Sequence, residues 1–408
     1  MASTFQFSMA TQKAVPVQQF RSKTRSFVPP RHKFGLRAAS MRVTAVASDA
    51  DEVALLEKML KMARERKEKE AAPVAPAIGD YDGKGFTIKT FNAISPVGLD
   101  KYPNGKYIVS GDDSTLPDPP MGIMLRSHKV QLDDVPPTVR AIVRCGAGTN
   151  NIPVKEMTER GIPVFNTPGA NANAVKELVL ASLLLSSRGI TQSMNYVDSL
   201  GSETDAAQLT KKVEAGKKQY GGSELEGKTL GVVGLGAIGA KIANLALSLG
   251  MKVIGYDPKL SVEAAWQLSS EVTRAANLNS LLARSDYVTL HVPMFEATRG
   301  LMNDDAFSTI KKGAKLINLA RGELVEEAAV IAALDSGKLT SYIADFPSEV
   351  LIAHEKVILF PHLGASTVEA EENCAEMGAY QLIDFLDNGN IINSVNFPNI
   401  SQERSTPH

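Results

Sequence analysis

TLGVVGLGAIG, residues 229–239, is the segment of this 408-residue sequence that carries the clearest structural signal. An apolar and β-branched run leads directly into the glycine pattern GLGAIG. Gly234 allows a tight turn, Gly236 lets a phosphate approach the backbone, and Gly239 lets a helix pack closely on the strand. The free N–H groups at the start of such a helix attract a pyrophosphate. The segment therefore predicts a strand, a phosphate-binding turn and a helix.

An acidic residue lies where a turn of this type needs one. Asp257 stands near the end of the next apolar run, KVIGYDP (252–258), eighteen residues after Gly239. A carboxylate at the end of this second strand accepts hydrogen bonds from a ribose diol and repels a 2′-phosphate. The pattern predicts NAD, rather than NADP, as the cofactor.

From residue 229 onward, strand-like runs alternate with helical patterns. The runs are TLGVVGL (229–235), KVIGYDP (252–258), YVTLHVP (287–293), KLINLAR (315–321), TSYIADF (340–346) and KVILFP (356–361). Such alternation builds a parallel sheet with helices on both faces, and ligands lie at the carboxyl ends of its strands. We therefore expect one crevice to be surrounded by Asp257, His291, Arg321, Asp345 and His362.

A second α/β unit precedes the nucleotide-binding one. Its strand-like runs are 86–92, 122–127, 141–146 and 162–167. A long apolar helix over 174–188 follows PGANAN, in which Asn171 or Asn173 can cap the helix. The helix after His362 is expected to return to this unit. We predict an α/β fold with two Rossmann-like domains, doubly wound parallel sheets and an active site in the cleft between them.

The chain is expected to begin with a targeting segment. The predicted parts are a plastid transit peptide (1–48), a charged helix with a Pro/Ala linker (49–79), a substrate domain (80–170 with 365–399), an NAD-binding domain (171–364) and a tail (400–408). The first part has eight Lys or Arg and no Asp or Glu, which is typical of organelle transit peptides. Mitochondrial import and a disordered basic arm are the alternatives.

Charge and cysteine content exclude several kinds of function. Beyond the predicted transit peptide, 36 basic residues stand against 45 acidic ones, so non-specific nucleic-acid binding is not expected. No apolar run is long enough to cross a bilayer. Cys145 and Cys374 lie far apart without a CxxC pattern, which argues against a disulfide framework or a cysteine-rich metal site. We interpret both as buried thiols and predict no metal.

Three residues can supply the chemistry of hydride transfer between a secondary alcohol and a nicotinamide. The reaction needs a base for the hydroxyl proton, a cation for a carboxylate and an acid that orients the base. An imidazole can take up and release a proton, so His362, in PHLGAST, is the candidate base, and Glu349, in DFPSEV, is the candidate orienting acid. Arg321, in NLARGE, offers a planar fork that matches a carboxylate. An arginine at a helix start opposes the helix dipole, which indicates that a ligand supplies negative charge there.

Longer motifs resemble the D-isomer-specific 2-hydroxyacid dehydrogenase family over residues 84–399. They are GVVGLGAIG…VIGYDP, DYVTLHVPMFEATRGLMN, INLARGELVEEAAVIAALDSGKL and PHLGASTVEAEENCAEM. The resemblance implies that Arg321, Glu349 and His362 are catalytic, with His362 as the acid/base. Dinucleotide contacts are implied for Thr149, Gly234, Gly236, Ala237, Ile238, Gly239, Asp257, Val292, Leu319, Asp345, Gly364 and Ala365. Substrate contacts are implied for Arg126, Ser127 and the N–H groups of Gly146 to Gly148.

Some segments are similar to the phosphoglycerate-oxidising members of that family. These are IKTFNAISPVGL, GIMLRSHKV, RCGAGTNN, NTPGANANAVKELVLASLLLSSR and NSVNFP. The resemblance implies NAD-dependent oxidation of a phosphorylated D-2-hydroxy acid, and the cations near the relevant loops are Arg126, Lys129 and Arg144. A hydroxypyruvate or glyoxylate reductase, another D-2-hydroxyacid dehydrogenase, and a non-catalytic NAD(H)-sensing protein similar to corepressors are the alternatives.

The sequence also departs from the family pattern. DFPSEV is one residue shorter than the usual DVF-x-x-E-P and lacks its proline, and the stretch from Glu349 to His362 is short. An amino-acid-binding regulatory domain is not expected after NSVNFP (393–398), and neither is inhibition by serine through such a domain. The resemblance implies a homodimer, and the helical excursion 193–222 is the segment that could reach a partner subunit.

Overall fold

The computed structural model describes residues 85–401. The transit peptide, charged helix and linker predicted over 1–79, and the tail beyond residue 401, lie outside the described residues. The described part contains two parallel sheets with helices packed on them, so the predicted α/β class with two Rossmann-like domains is confirmed.

The first sheet has five parallel strands. They are β1 (Phe86–Phe91), β2 (Tyr107–Ser110), β3 (Gly122–Leu125), β4 (Ala141–Arg144) and β5 (Val164–Asn166), in the order β2-β1-β3-β4-β5. The short helices are α1 (Pro96–Leu99) and α2 (Val154–Glu159). Because all strands run the same way, the loops that follow β1, β3 and β4 lie together at one edge of the sheet.

Three helices lead from the first sheet to the second. They are α3 (Ala172–Ser187), α4 (Ile190–Ser199) and α5 (Ala206–Gly216). The long helix α3 packs against the second sheet rather than the first, on strands 314–318 and 339–344. No helix within residues 85–401 is both long enough and apolar enough to span a membrane.

The second sheet has seven parallel strands. They are β6 (Thr229–Val233), β7 (Lys252–Tyr256), β8 (Thr273–Arg274), β9 (Tyr287–Leu290), β10 (Ala314–Asn318), β11 (Leu339–Ala344) and β12 (Val357–Leu359), in the order β12-β11-β10-β9-β6-β7-β8. The helices are α6 (Ala237–Ser248), α7 (Val262–Ala265), α8 (Leu278–Leu282), α9 (Asp304–Thr309), α10 (Glu327–Asp335) and α11 (Glu349–Ile352). The strand order changes direction between β6 and β9, which is the place where ligands bind in sheets of this kind.

Apolar packing on both faces explains the continuous apolar strands. Leu316 and Ile317 are neighbours in β10 and both are fully buried, yet they belong to separate apolar clusters. Because successive strand residues point to opposite faces, both faces of this sheet are covered.

The last helix, α12 (Val368–Asn388), returns to the first sheet, as the sequence predicts. It packs on β3, β4 and β5 and against α1, and its buried face includes Cys374, Ala375 and Leu382. The residues just before α12 therefore connect the last strand of the second sheet with the first sheet.

The predicted strands are found, with corrections at their ends. Most predicted runs extend past the carboxyl end of the strand, into residues such as Arg126, Gly234 and Asp257 that belong to the ligand-facing loops. Two strands were missed. β2 has only four residues, of which one is buried, and β8 has only two residues, both exposed.

Candidate active-site cleft

The glycine turn has the geometry that its sequence predicts. Gly234 has φ of 89°, and a Cβ there would stand 2.5 Å from the carbonyl oxygen of His291. A Cβ on Gly239 would overlap the carbonyl oxygen of Gly234, whereas a Cβ on Gly236 would meet nothing within 4 Å. Gly236 is the N-cap of α6, whose first residues Ala237 and Ile238 present N–H groups without intrahelical partners. The open side of the turn fits a pyrophosphate.

Alanine substitutions should separate nucleotide binding from folding within this turn. Gly236→Ala is expected to change the free energy of unfolding by less than about 0.5 kcal/mol, because the added methyl meets no protein atom. It should weaken NAD binding at least about tenfold, since the methyl occupies the side from which the phosphate approaches. Gly239→Ala should lower the free energy of unfolding by about 2 kcal/mol through overpacking. Denaturant titration measures the free energy of unfolding, and NADH fluorescence titration measures the affinity for the nucleotide. If both variants lost the same stability and the same affinity, the separate roles of Gly236 and Gly239 would be refuted.

Asp257 lies at the mouth of an apolar pocket beyond the turn. Its carboxylate accepts the N–H of Leu235 at 2.9 Å and that of Lys259 at 2.8 Å. The pocket is about 360 Å³ and is lined by Leu235, Gly255, Asp257, Pro258, Leu260, Leu268, Ser269, Val272 and Arg274. A carboxylate beside an apolar pocket fits the ribose and adenine of a dinucleotide. The apolar residues between 260 and 272 could not be predicted as part of this pocket, because they follow no helical or strand period.

The other predicted cofactor residues lie at the same edge of the second sheet. Val292 follows β9 and its side chain abuts Gly234, while Leu319 follows β10 and is buried. Thr149 lies across the cleft in the loop after β4, where it is half-buried. The structure thus places Val292 and Leu319 at the carboxyl ends of neighbouring strands, close to the point at which β6 and β9 adjoin.

Asp345 holds the loop that follows His362. It is buried at the end of β11, and its two carboxylate oxygens accept the N–H groups of Leu363 and Gly364, both at 2.7 Å. Two charge-assisted hydrogen bonds from one buried carboxylate fix this segment firmly. The sequence resemblance implied a cofactor contact for Asp345 but not this structural role, which depends on a partner eighteen residues away.

The other histidines of the described residues have structural roles that their neighbours explain. His128 stacks on Phe91, with ring centroids 4.2 Å apart, and its Nε2 lies 3.0 Å from Asp134. His354 lies 3.2 Å from Asp335 through Nε2. The Nε2 of His291 lies 2.8 Å from the Oγ1 of Thr289, and burial lowers the pKa of this imidazole to about 3, which favours its neutral form.

His362 differs from these because its imidazole is exposed and faces a cavity. It follows β12 with φ of 58°, and its ring meets the edge of Phe346 at 5.3 Å between centroids. A positive φ is uncommon for a residue other than glycine and is often found at functional sites. No hydrogen-bond partner of this imidazole occurs among residues 85–401, so its nitrogens are available to a ligand.

The cavity beside His362 has a volume of about 290 Å³. Its wall is formed by Ala93, Ile94, Ser95, Arg126, Ser127, Arg144, Cys145, Gly146, Asn171, His362, Ala365, Ser366, Ala370, Glu371, Cys374 and Ala375. The loops after β1, β3 and β4 therefore supply one side, and the segment from His362 into α12 supplies the other. Lys129, which the sequence suggested as a cation for this site, is exposed and is not part of the wall.

Three guanidinium groups converge on this region. Arg126 and Arg144 line the cavity, and the Nε of Arg144 donates to the carbonyl oxygen of Arg126 at 3.1 Å. Burial lowers the pKa of Arg144, and the charges of Arg321 and Arg126 lower it further. Cys145 adds no negative charge, because burial raises the pKa of its thiol to about 12. The cavity is therefore built for an anion.

Arg321 reaches across the cleft to the loop after β4. Its Nη2 would stand 2.7 Å from a Cβ on Gly148, and its Nη1 donates to the carbonyl oxygen of Ala320 at 2.5 Å. The N–H groups of residues 146–148 have no acceptor within residues 85–401, while the carbonyl oxygens of Gly146 and Ala147 accept hydrogen bonds from Thr167 and Asn166. Free N–H groups beside a guanidinium form a site for a carboxylate.

Asn171 was missed as a site residue and was misread as a helix cap. It occupies the N-cap position of α3 by sequence, but its side chain makes no capping hydrogen bond, and Asn173 lies inside the helix bound to Lys176 and Glu177. The φ and ψ of Asn171, −96° and 6°, are not the extended values that side-chain capping requires. Its Oδ1 is instead buried without a partner, and the residue lines the cavity.

The structure does not join Glu349 to His362. Glu349 is the first residue of α11, its side chain is exposed, and no hydrogen bond or ion pair involves its side chain among residues 85–401. Its role as the orienting acid stays a prediction. The dipole argument for Arg321 was wrong, because the element that follows is a single 3₁₀ turn, Gly322–Leu324, too short to have an appreciable dipole.

These features define a class of protein. A glycine turn at a topological switch point, an acid beside an apolar pocket, and a cation-lined cavity with one available imidazole belong to a two-domain dinucleotide-binding protein that acts on a small anion. Residues 197–364 match the family model described as D-isomer specific 2-hydroxyacid dehydrogenase, NAD binding domain. The chain is 37% identical over 295 residues to D-3-phosphoglycerate dehydrogenase of Haemophilus influenzae, an alignment that covers 69% of this chain and 67% of the relative.

The chain belongs to the D-isomer-specific 2-hydroxyacid dehydrogenase family, and its nucleotide-binding domain is an NAD-binding domain. It is also 36% identical over 287 residues to D-3-phosphoglycerate dehydrogenase of Pongo abelii, with 67% of this chain and 50% of the relative covered. The chain thus spans about half the length of several curated relatives that it matches.

Solved structures support the fold. Apo D-mandelate dehydrogenase of Rhodotorula graminis superimposes with a TM-score of 0.63 at 23% identity, covering 78% of this chain and 99% of that one. The NAD⁺-bound 3-phosphoglycerate dehydrogenase of Entamoeba histolytica gives a TM-score of 0.58 at 23% identity, with 77% and 99% covered.

Proposed function

We propose that the protein oxidises the C2 hydroxyl of D-3-phosphoglycerate to give 3-phosphohydroxypyruvate, with NAD as the hydride acceptor, as the first step toward serine. The observation that carries the proposal is that Arg126 and Arg144 line the cavity beside His362, while the guanidinium of Arg321 lies against Gly148 in the loop that borders this cavity. Three cations suit a substrate that is anionic at both ends. Several relatives that are named D-3-phosphoglycerate dehydrogenase support the same substrate.

Each group has a role in this reaction. Arg321 and the free N–H groups of residues 146–148 hold the substrate carboxylate and thereby fix C2 in the cleft. Arg126 and Arg144, in the wall of the same cavity, hold the phosphate. When bound, NAD supplies the acceptor for the hydride that leaves C2. The imidazole of His362 takes the proton of the C2 hydroxyl as the carbonyl forms, and it returns that proton in the reverse direction.

A substrate panel with both nucleotides tests the proposal. Protein starting near residue 49 should reduce NAD with D-3-phosphoglycerate, and kcat/KM with NADP should be at least about tenfold lower because of Asp257. Turnover restricted to D-lactate, D-glycerate or glyoxylate would refute the substrate and favour a glyoxylate or hydroxypyruvate reductase. Tight NADH binding without turnover of any 2-hydroxy or 2-keto acid would favour a non-catalytic NAD(H)-sensing protein.

We also propose that the protein works as a homodimer in the plastid. The composition of residues 1–48 supports plastid import, with mitochondrial import as the alternative. Exposed apolar side chains on α4 and its neighbours, Leu184, Met194, Val197 and Leu209, support a subunit contact through this region. The small anionic substrate is the other partner that this function requires.

A further inference from the structure

We propose that Glu371 is an exchangeable counter-ion of Arg126 and that it limits the preference of the cavity for substrates with a dianionic end. The inference rests on the proposed function for the identity of the substrate. It concerns a carboxylate that the reaction itself does not use.

The two side chains form an ion pair inside the substrate cavity. Nη2 of Arg126 lies 2.6 Å from Oε1 of Glu371, and the side chains are 39% and 41% exposed. Both residues line the cavity that contains His362. The contact involves one guanidinium nitrogen and one carboxylate oxygen, and no other partner of the Arg126 guanidinium occurs within residues 85–401.

The pair is particular to Arg126. Neither Arg144 nor Arg321 has an ion pair with a carboxylate in the described part of the chain. Glu371 therefore offsets about one of the two positive charges in the wall of the cavity. Because both members of the pair are more than one-third exposed, water and salt screen it, and it can open at small cost.

The position of Glu371 on α12 allows the side chain to move without disturbing the fold. It lies in the first turn of the helix, where its backbone N–H donates to the carbonyl oxygen of the N-cap residue Thr367 at 3.1 Å. Cys374 and Ala375, three and four residues later, are buried on the same cavity wall. The helix is thus anchored by these residues, and the carboxylate at its start can turn toward solvent.

Like-charge repulsion sets the direction of the effect. A phosphate that approaches Arg126 must displace the Glu371 carboxylate or remain beside it, and both cost binding free energy. A substrate that ends in an uncharged hydroxymethyl group meets no such repulsion and leaves the pair intact. Glu371 therefore weakens the binding of phosphorylated substrates relative to unphosphorylated ones.

The test is Glu371→Gln, which keeps the shape and removes the charge. With saturating NAD, KM for D-3-phosphoglycerate should fall about three- to tenfold, kcat should stay within about twofold, and KM for D-glycerate should not change. The fall in KM should shrink in high salt, since the pair is screened. Glu369→Gln is the matched control, because Glu369 is an exposed acid of the same helical turn without an ion pair in the described residues. This variant should leave the KM for D-3-phosphoglycerate and the KM for D-glycerate unchanged.

Inorganic phosphate, titrated calorimetrically into the NAD-loaded protein, separates this inference from the proposed function. Tighter phosphate binding by Glu371→Gln supports the counter-ion role even if the unaltered protein fails to oxidise D-3-phosphoglycerate. Glu371→Ala, made in parallel, should shift phosphate binding in the same direction. Unchanged phosphate affinity in both variants would overturn the inference. Weaker phosphate binding would overturn it as well, because Glu371 would then orient Arg126 for the anion rather than compete with it.

Discussion

His362→Asn is expected to lower kcat for D-3-phosphoglycerate oxidation by about a thousandfold, which lies within the usual range for loss of a general acid–base group. The imidazole is the only one in residues 85–401 that lines the cavity, so no neighbouring histidine can take over the proton. Asparagine is the suitable replacement because it tolerates the left-handed backbone, φ of 58°, better than alanine does. Rapid-mixing kinetics with saturating NAD measure the loss.

NADH affinity should change less than about twofold in this variant, since the loop after His362 is held by Asp345 through backbone N–H groups. His354→Asn is the matched control. His354 pairs with Asp335 away from the cavity and should retain kcat within about twofold. If His362→Asn kept more than a tenth of the original kcat, another group would have to carry the proton.

The nucleotide-binding part of this site could be predicted from sequence because its signals are local. Gly234, Gly236 and Gly239 act within one turn, and the backbone there does what the spacing predicts. The alternation of apolar runs predicted the second sheet for a related reason. A parallel strand buried on both faces needs a continuous apolar run, which is visible without knowledge of its neighbours.

The substrate cavity was less predictable because its contacts join distant segments. The pairing of Arg126 with Glu371 bridges 245 positions in the sequence, and no local pattern marks it. Asn171 looked like a helix cap because caps and site residues use the same amino acids, and only its backbone angles separate the two roles. Glu349 was chosen by its place on the loop upstream of His362 and by family resemblance, where the motif departs from the family, and the structure shows no contact between its side chain and His362.

Arg321→Gln is expected to lower kcat/KM for D-3-phosphoglycerate by about a thousandfold, or about 4 kcal/mol. This corresponds to two charge-assisted hydrogen bonds at about 1.5–3 kcal/mol each. The kcat/KM of Arg321→Lys should lie between the values for the unaltered protein and for Arg321→Gln, since lysine keeps the charge but lacks the planar fork. The Asn318 side chain donates a hydrogen bond to the carbonyl oxygen of Arg321 and accepts one from its backbone N–H, so the fold should persist in both variants. Steady-state kinetics and NADH titration measure the outcome.

The Arg321 variants also distinguish a dehydrogenase from a non-catalytic NAD(H)-binding protein. The Arg321 guanidinium lies against Gly148 of the opposite domain, so a carboxylate held there by free N–H groups links the two halves of the cleft. A protein that only senses the nucleotide does not need to bind a substrate carboxylate. In such a protein, the Arg321 variants could change only the affinity for NADH. Arg284→Gln, at an exposed arginine without an ion pair in the described residues, controls for loss of charge and should leave kcat/KM unchanged. If Arg321→Gln retained full kcat/KM, the substrate carboxylate would have to bind elsewhere. The assignment of His362 as the base next to that substrate would then also be wrong.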